Sequence, residues 1–307
     1  MTEESIPAGE ETVRVEDFEA EGPIEVDVSV AIGRVTIELT DENGVHAEVR
    51  RDGGEQQPWV DGMTSLLSWV GERFGDQLGG SPAGSAGSVG DAVAQTRIEK
   101  VGNRLVVQAP KAWQLKNVPL AVTVRAPAGS HLEVRAGAAD VTVAGIAGRA
   151  DIMTGAGKVG LERADGSAIV RTGTGDVKLG ATLSGLQLRT GSGSVEASSL
   201  CGSATIATGT GDVWLGEIAG DVLARTGSGD LSVTDAAFGS LELTTGSGEV
   251  RVAIRGRVRA EIDLSSTTGS VSSELDVADS APTEGEVVLK VRARTGTGDA
   301  VVTSAAG

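Results

Sequence analysis

The feature that most constrains this chain is a glycine corner repeated at a fixed interval. Thr-Gly-x-Gly begins at Thr154, Thr172, Thr190, Thr208, Thr226 and Thr245. One variable residue follows each copy, and then an apolar one: Val159, Val177, Val195, Val213, Leu231 and Val250. Successive copies lie 18 residues apart, except for a last interval of 19. A fixed period in this range marks stacked structural units, each packed on its neighbours.

Within a unit the apolar residues recur two apart, as in Val177, Leu179, Leu183, Leu186, Leu188 and then Thr190, or Val195, Ala197, Leu200, Ala204, Ile206 and then Thr208. Two is the strand period, so each unit holds two short strands with alternate side chains inward. Glycines turn the chain between them. No stretch between corners is long enough, at a spacing of 3.6, for a helix. The expected fold is all-β, a single parallel β-solenoid with about 18 residues per coil. The general rule for parallel crossovers predicts right-handed winding. Val141, Val159, Val177, Val195, Val213 and Leu231 should form one internal column rising ~4.8 Å per coil. A Thr column should run beside it, its hydroxyls bonded to neighbouring coils or to the corner backbone. Asp140, Lys158, Asp176, Ser194, Asp212 and Asp230 read as a solvated outer ladder.

Composition narrows the function classes. The 43 acidic against 26 basic residues give a net charge of −17, which disfavours nucleic acid and anionic membrane surfaces as partners. With four Trp, three Phe and no Tyr in 307 residues, the chain suits a narrow interior of Val, Ile, Leu and Ala. One cysteine, Cys201, excludes an internal disulfide and a thiolate metal cluster. Met1-Thr-Glu-Glu-Ser-Ile-Pro is acidic and lacks the basic start and apolar run of a secretory signal. No run of about 18 apolar residues occurs, so no transmembrane segment is expected. These features predict a cytoplasmic protein.

In order along the chain, residues 1–22 read as a polar N-terminal segment with Phe18 as its anchor. Residues 23–303 read as the solenoid domain, 304–307 as a tail, and 52–95 as an insertion. In that insertion Trp59, Val60, Met63, Leu66, Leu67, Val70, Phe74 and Leu78 recur at three and four, which predicts an amphipathic helix over 59–78. Gly79 to Gly90 reads as a flexible linker. The helix is expected either to cap the solenoid or to hook a partner. Alternating strands are expected over 24–49, from Ile98 to Val107 and from Leu120 to Val124, and the period loosens beyond Val250. Little sequence follows the last corner at Thr295, so an uncovered final coil, open to self-association, is expected at the C-terminal end.

Together the Val-x-Val-x-x-Pro-x-Gly approach at Val122 to Gly129, the Thr-Gly-[Ser/Thr]-Gly-[Asp/Glu]-Val units through Val250, and the late return at Thr295 to Asp299 resemble the bacterial putative-adhesin family of β-strand-repeat proteins. The resemblance covers roughly residues 24–303, with the helix and linker as a departure. It implies a β-solenoid domain of unknown function with no established activity.

Other motifs point to bland roles. Gly155-Ala-Gly-Lys-Val-Gly160 fits a phosphate-cradling fingerprint, but a strand follows where a helix is needed. The Gly-x-Gly-Asp corners differ by one residue from calcium-binding rolls, and Lys158 and Ser194 interrupt the Asp column. His46, His131 and Cys201 stand apart in sequence, with no triad spacing. Arg251, Arg255, Arg257 and Arg259 form a basic outer face that could dock an acidic segment. The reading with most support is a non-catalytic scaffold or protein-interaction protein with no cofactor and no metal. Its expected interaction surface is Trp59, Met63, Leu66, Trp69, Phe74 and Trp214. The alternative is a carbohydrate-binding or carbohydrate-cleaving β-helix using the outward Arg171, Arg189 and Arg225.

Overall fold

The structure is a computed structural model and describes residues 13–53, 89–112, 115, 117–256, 258–275 and 288–305. The chain opens with β1 (Arg14–Phe18), β2 (Glu25–Thr40) and β3 (Val45–Arg51). A short helix, α1 (Val89–Ala94), leads into the hairpin of β4 (Arg97–Val101) and β5 (Arg104–Gln108), and β6 (Leu120–Pro127) follows. From β7 (His131–Ala147) onward the coils become regular. Each then contributes a strand to two stacks: β8 (Arg149–Ala156), β9 (Val159–Ala164), β10 (Ser167–Thr174), β11 (Val177–Thr182) and β12 (Gly185–Ser192), then β13 (Val195–Leu200), β14 (Ser203–Thr210), β15 (Val213–Ala219) and β16 (Val222–Ser228).

Pairing is parallel and like on like. Thr172 sits beside Thr190, Leu188 beside Ile206, and Val177 beside Val195. The long strands β2, β7 and β17 (Leu231–Ser247) pass from one stack to the other and join both into one hydrogen-bonded network. The molecule is therefore all-β and solenoid-like. Its internal Val column extends beyond the repeats: Val49, Val122 and Val35 precede Val141, and Val250 follows Leu231. All are buried, and each such side chain contributes about 1.5–3 kcal/mol of apolar transfer.

Three local readings change. In the coil after Val177 the inward position belongs to Thr182, which is buried, while Leu183 is 37% exposed. Alternation from Val177 and Leu179 alone would turn Leu183 inward, but the ladder skips Gly180, the phase shifts by one, and Thr182 takes the inward place beside Ala164 and Leu200. The single 19-residue interval is absorbed at a bulge, where Ile218 pairs with Ala236 but Ala219 pairs with Phe238, leaving Ala237 as the extra residue. Arg14–Phe18, read above as part of a polar N-terminal segment anchored by Phe18, is a strand paired antiparallel with β3, and Phe18 packs on the core.

Coils at both ends are stacked out of chain order. β2 lies between β7 on one side and β5 with β6 on the other, so residues 104–127 form a coil outside residues 25–40. Antiparallel strands β1, β3 and β4 cover that end, and Ala92 and Val93 of α1 are buried there. This α1 lies within the insertion read as 52–95; the helix expected over 59–78 and residues 79–88 lie outside the described residues. After β18 (Val250–Ile254) come β19 (Ala260–Ser266) and β20 (Val271–Ser273), then β21 (Leu289–Thr297) and β22 (Ala300–Ser304). The last two insert between β17–β18 and β19–β20. The final strands are thus covered, contrary to the expectation above, and among the described residues, 260–273 are outermost.

Corners bring neighbouring coils too close for any side chain. Gly175, Gly193, Gly211, Gly229 and Gly248 have φ between 126° and 140°. A Cβ on Gly211 would lie 2.2 Å from the Gly193 carbonyl oxygen. Gly185, by contrast, has ordinary φ, and a Cβ there would meet nothing nearer than 3.5 Å. Gly211→Ala is expected to cost about 3 kcal/mol or more, combining forbidden φ with backbone collision, and Gly185→Ala less than about 0.5 kcal/mol. Urea denaturation of the two variants checks this; equal midpoints would contradict it.

Candidate functional site

Ionisable side chains lie on the outward positions of the strands, and the parallel register arranges them in rows along the stack. One row crosses Arg135, Met153, Arg171, Arg189, Ala207, Arg225, Thr244 and Arg294. The neighbouring outward row crosses Glu133, Asp151, Ile169, Gln187, Thr205, Leu223 and Glu242. The two rows decide which arginines are neutralised. Arg135 pairs with Glu133, and Arg225 reaches Glu242 at 3.3 Å. Arg171 donates only to the Gln187 amide oxygen, at 3.4 Å. The Arg189 guanidinium makes no hydrogen bond or ion pair with any described residue.

Beside these arginines runs a strip of exposed Gly155, Gly173 and Gly191. Together with Arg135, Met153, Arg171 and Arg189 it forms an open groove of about 620 Å³. Its lining has cations, an apolar thioether and backbone, but no carboxylate, imidazole or thiol. A smaller cleft of about 210 Å³ gathers Glu25, Asp27, Arg104, His131, Glu133 and Arg149. There Arg104 bonds Asp27 at 2.7 Å and Glu133 at 3.3 Å, a paired surface network.

The Asp column does more than meet water. Asp140 Oδ1 accepts the Lys158 amide at 2.8 Å, Asp176 the Ser194 amide at 3.1 Å, and Asp212 the Asp230 amide at 2.9 Å. Each carboxylate thus clips the next coil's corner. Beneath, the buried Thr hydroxyls donate to corner carbonyls: Thr226 to Ser228 at 3.1 Å and to Gly211 of the preceding coil at 3.2 Å. Both bonding modes expected for the Thr ladder occur.

The other motifs resolve into structure. Gly155 to Gly160 joins β8 to β9, strand to strand. His46 pairs with Asp17 at 2.7 Å, and Cys201 Sγ lies 3.6 Å from the Ser199 hydroxyl. No three His, Cys, Asp or Glu side chains among the described residues converge as metal ligands. The basic face after Val250 is neutralised: Arg251 pairs with Glu249 at 2.7 Å, and Arg255 with Glu217 at 2.7 Å and with Asp235. Those bonds, to Asp235 first and then Glu217, push the Arg255 pKa further above its ordinary value. Arg257 lies outside the described residues, and Arg259 is also engaged. Of the expected interaction surface, Trp214 stands 43% exposed between Glu196 and Ser232. Trp59, Met63, Leu66, Trp69 and Phe74 lie outside the described residues. Among the described residues no helix is long and apolar enough to cross a membrane.

The sequence profile described as Toastrack DUF4097 matches residues 103–303, from β5 to β22. The chain belongs to the Toastrack DUF4097 family. No curated protein matches it. Three solved structures are similar over nearly their full lengths at low identity. One is a putative adhesin from Bacteroides fragilis, with 12% identity, 94% of this chain and 96% of that one covered, and a TM-score of 0.41. A second is a putative adhesin from Parabacteroides distasonis, with 11% identity, coverage of 95% and 98%, and a TM-score of 0.32. The third, from the same species, is described as a putative lipid binding protein, with 10% identity, coverage of 97% and 96%, and a TM-score of 0.29. The Toastrack match begins after β2, yet β2 sits inside the stack between matched coils.

One corner carboxylate of the Toastrack stack gives a pH prediction. Asp299 accepts the Ser270 amide at 2.8 Å, and that backbone bond, then the Ser270 side chain, holds its pKa below the ordinary carboxylate value. A lowered folded pKa adds stability above the unfolded value of about 3.9, and this is lost as pH falls through the folded value. Asp299→Asn should therefore flatten the fall in stability below about pH 4. Denaturation midpoints measured across that range with parent-like slope would contradict the assignment.

Proposed function

We propose that this chain is a non-catalytic β-solenoid scaffold or adhesin-like protein-interaction protein. The observation that carries this reading is the row-by-row pairing of charge. Catalysis needs titratable groups converging in a concave site. Here the groove lining offers guanidiniums but no carboxylate, imidazole or thiol, and in the smaller cleft, where carboxylates and His131 do gather, Arg104 is taken up by Asp27 and Glu133. Trp214 and the apolar stripe of 59–78 are the surfaces proposed to meet the partner.

Self-association belongs to the same reading, at the end formed by β19 and β20 rather than by the chain's last strands. Ile262 and Leu264 are only partly buried there and pack at the margin of the core, and an outer strand edge is a pairing template. A cytoplasmic setting is proposed with it, supported by Cys201, an exposed free thiol of the kind a reducing compartment maintains. A second reading, a carbohydrate-binding face, has specific support in the groove of Arg135, Arg171 and Arg189. Its lining supports binding and offers no acid or base for cleavage.

The test compares the full chain with a variant lacking residues 55–86. That deletion stops before α1, because Ala92 and Val93 are buried. Both are sized with light scattering and then immobilised. The full chain should capture one protein saturably, with competition by free chain, and the folded deletion should lose it; Trp214→Ser should weaken capture. Equal capture by parent, deletion and Trp214→Ser would overturn the proposed surface.

A further inference from the structure

We propose that the Arg171–Arg189 groove binds a linear polysaccharide bearing carboxylates, laid along the stacking axis across the strands. This rests on the second reading above and names its ligand class. The first reason is unmet charge. Arg171 and Arg189 occupy adjacent rungs, about 4.8 Å apart at the backbone, and neither has an acidic partner among the described residues. The adjacent row explains why: its acids, Glu133, Asp151 and Glu242, lie at the two ends, and Ile169, Gln187, Thr205 and Leu223 lie between. Two guanidiniums held side by side repel, and an anion bridging them in charge-assisted hydrogen bonds relieves that cost.

The second reason is space that no side chain can fill. A Cβ on Gly173 would lie 2.4 Å from the Gly155 carbonyl oxygen, and one on Gly191 would lie 2.5 Å from that of Gly173. The floor of the groove is therefore bare backbone by necessity, bounded by guanidiniums and the half-exposed Met153. The groove runs along the axis over successive rungs from Arg135 to Arg189, so the site suits an elongated ligand more than a single small anion.

The third reason is register. A strand-like peptide advances about 3.3 Å per residue, out of step with rungs of about 4.8 Å. It also finds no backbone edge here, because both sides of β10 and β12 are already paired. A pyranose and its linkage advance by close to one rung, so a polyuronate keeps pace with the arginine rungs without needing a backbone edge. The overall charge of −17 opposes any polyanion, and what offsets it is local: at physiological salt only charges within about 8 Å act strongly, and those on this face are the guanidiniums.

The experiment uses the folded full chain in affinity electrophoresis and calorimetry at about 0.15 M salt. Polygalacturonate is the probe, and neutral dextran, polyglutamate and a single-stranded oligonucleotide are the comparators. Polygalacturonate should bind, Arg171→Gln/Arg189→Gln should weaken it by about tenfold or more, and Lys178→Gln on the other face should leave it within about twofold. Far-UV circular dichroism confirms that the variants are folded. Equal binding of dextran, unaffected by the variants, overturns the carboxylate assignment and leaves glycan binding standing. No binding of either glycan overturns both. Equal or tighter binding of polyglutamate or the oligonucleotide, or a double variant that binds like the parent, also overturns the proposal.

Discussion

The structure depends on how closely one coil can approach the next at its corner. At Gly175, Gly193, Gly211 and Gly229 the missing Cβ position lies 2.1–2.3 Å from the preceding coil's carbonyl oxygen. Only a residue without a side chain, at a φ that other residues avoid, closes that turn. Once closed, the corner sets the register. Val stacks on Val and Thr on Thr, and the Thr hydroxyl reaches carbonyls left free by the turn, as in Thr245 to Gly229 at 2.9 Å. Outside, an aspartate accepts the next corner's amide. Glycine, threonine and aspartate thus act on one corner from three directions.

Register also governs the surface. Because identical positions stack, any outward charge meets the same position one rung away, and rows of like charge are the default. Rows escape repulsion by alternating signs along the stack, as Lys178 does with Glu196 at 3.1 Å and Lys290 with Glu261 at 3.6 Å, or by pairing sideways, as Arg251 does with Glu249 at 2.7 Å. Such exposed pairs contribute little stability individually, but they leave each face electrically quiet. Arg171 and Arg189 depart from that pattern because the row beside them turns neutral over Ile169, Gln187, Thr205 and Leu223. The same row neutralises Arg135 and Arg225 at its ends.

The repeats were legible because each coil carries its own copy of the signal: glycine spacing, inward Val, inward Thr. What was not legible was non-local. Nothing near β2 says that residues 104–127 will stack on its outer side, and nothing near Thr295 says that β21 slips inside residues 260–273. Thr182 illustrates a subtler limit: simple alternation from Val177 points to Leu183, whereas the phase changes at Gly180 and turns Thr182 inward. For the candidate site, the Arg row could be read from the period, but its pairing depended on the adjacent row, two residues away for Arg135 with Glu133 and 16 or 17 away for Arg171 with Gln187 and Arg225 with Glu242. The clips made by Asp176 and Asp212 were hidden for the same reason, since a surface carboxylate and a bonding one look alike in sequence.

The most direct measurement removes one whole coil. Deleting residues 190–207 joins Arg189 to Thr208 and preserves every column, whereas deleting 195–203 breaks the register. If interchangeable corners organise the stack, the first variant should unfold cooperatively like the parent and be shorter in solution scattering by about one rung of ~4.8 Å, and the second should aggregate or unfold. Equal behaviour of the two deletions would contradict the account.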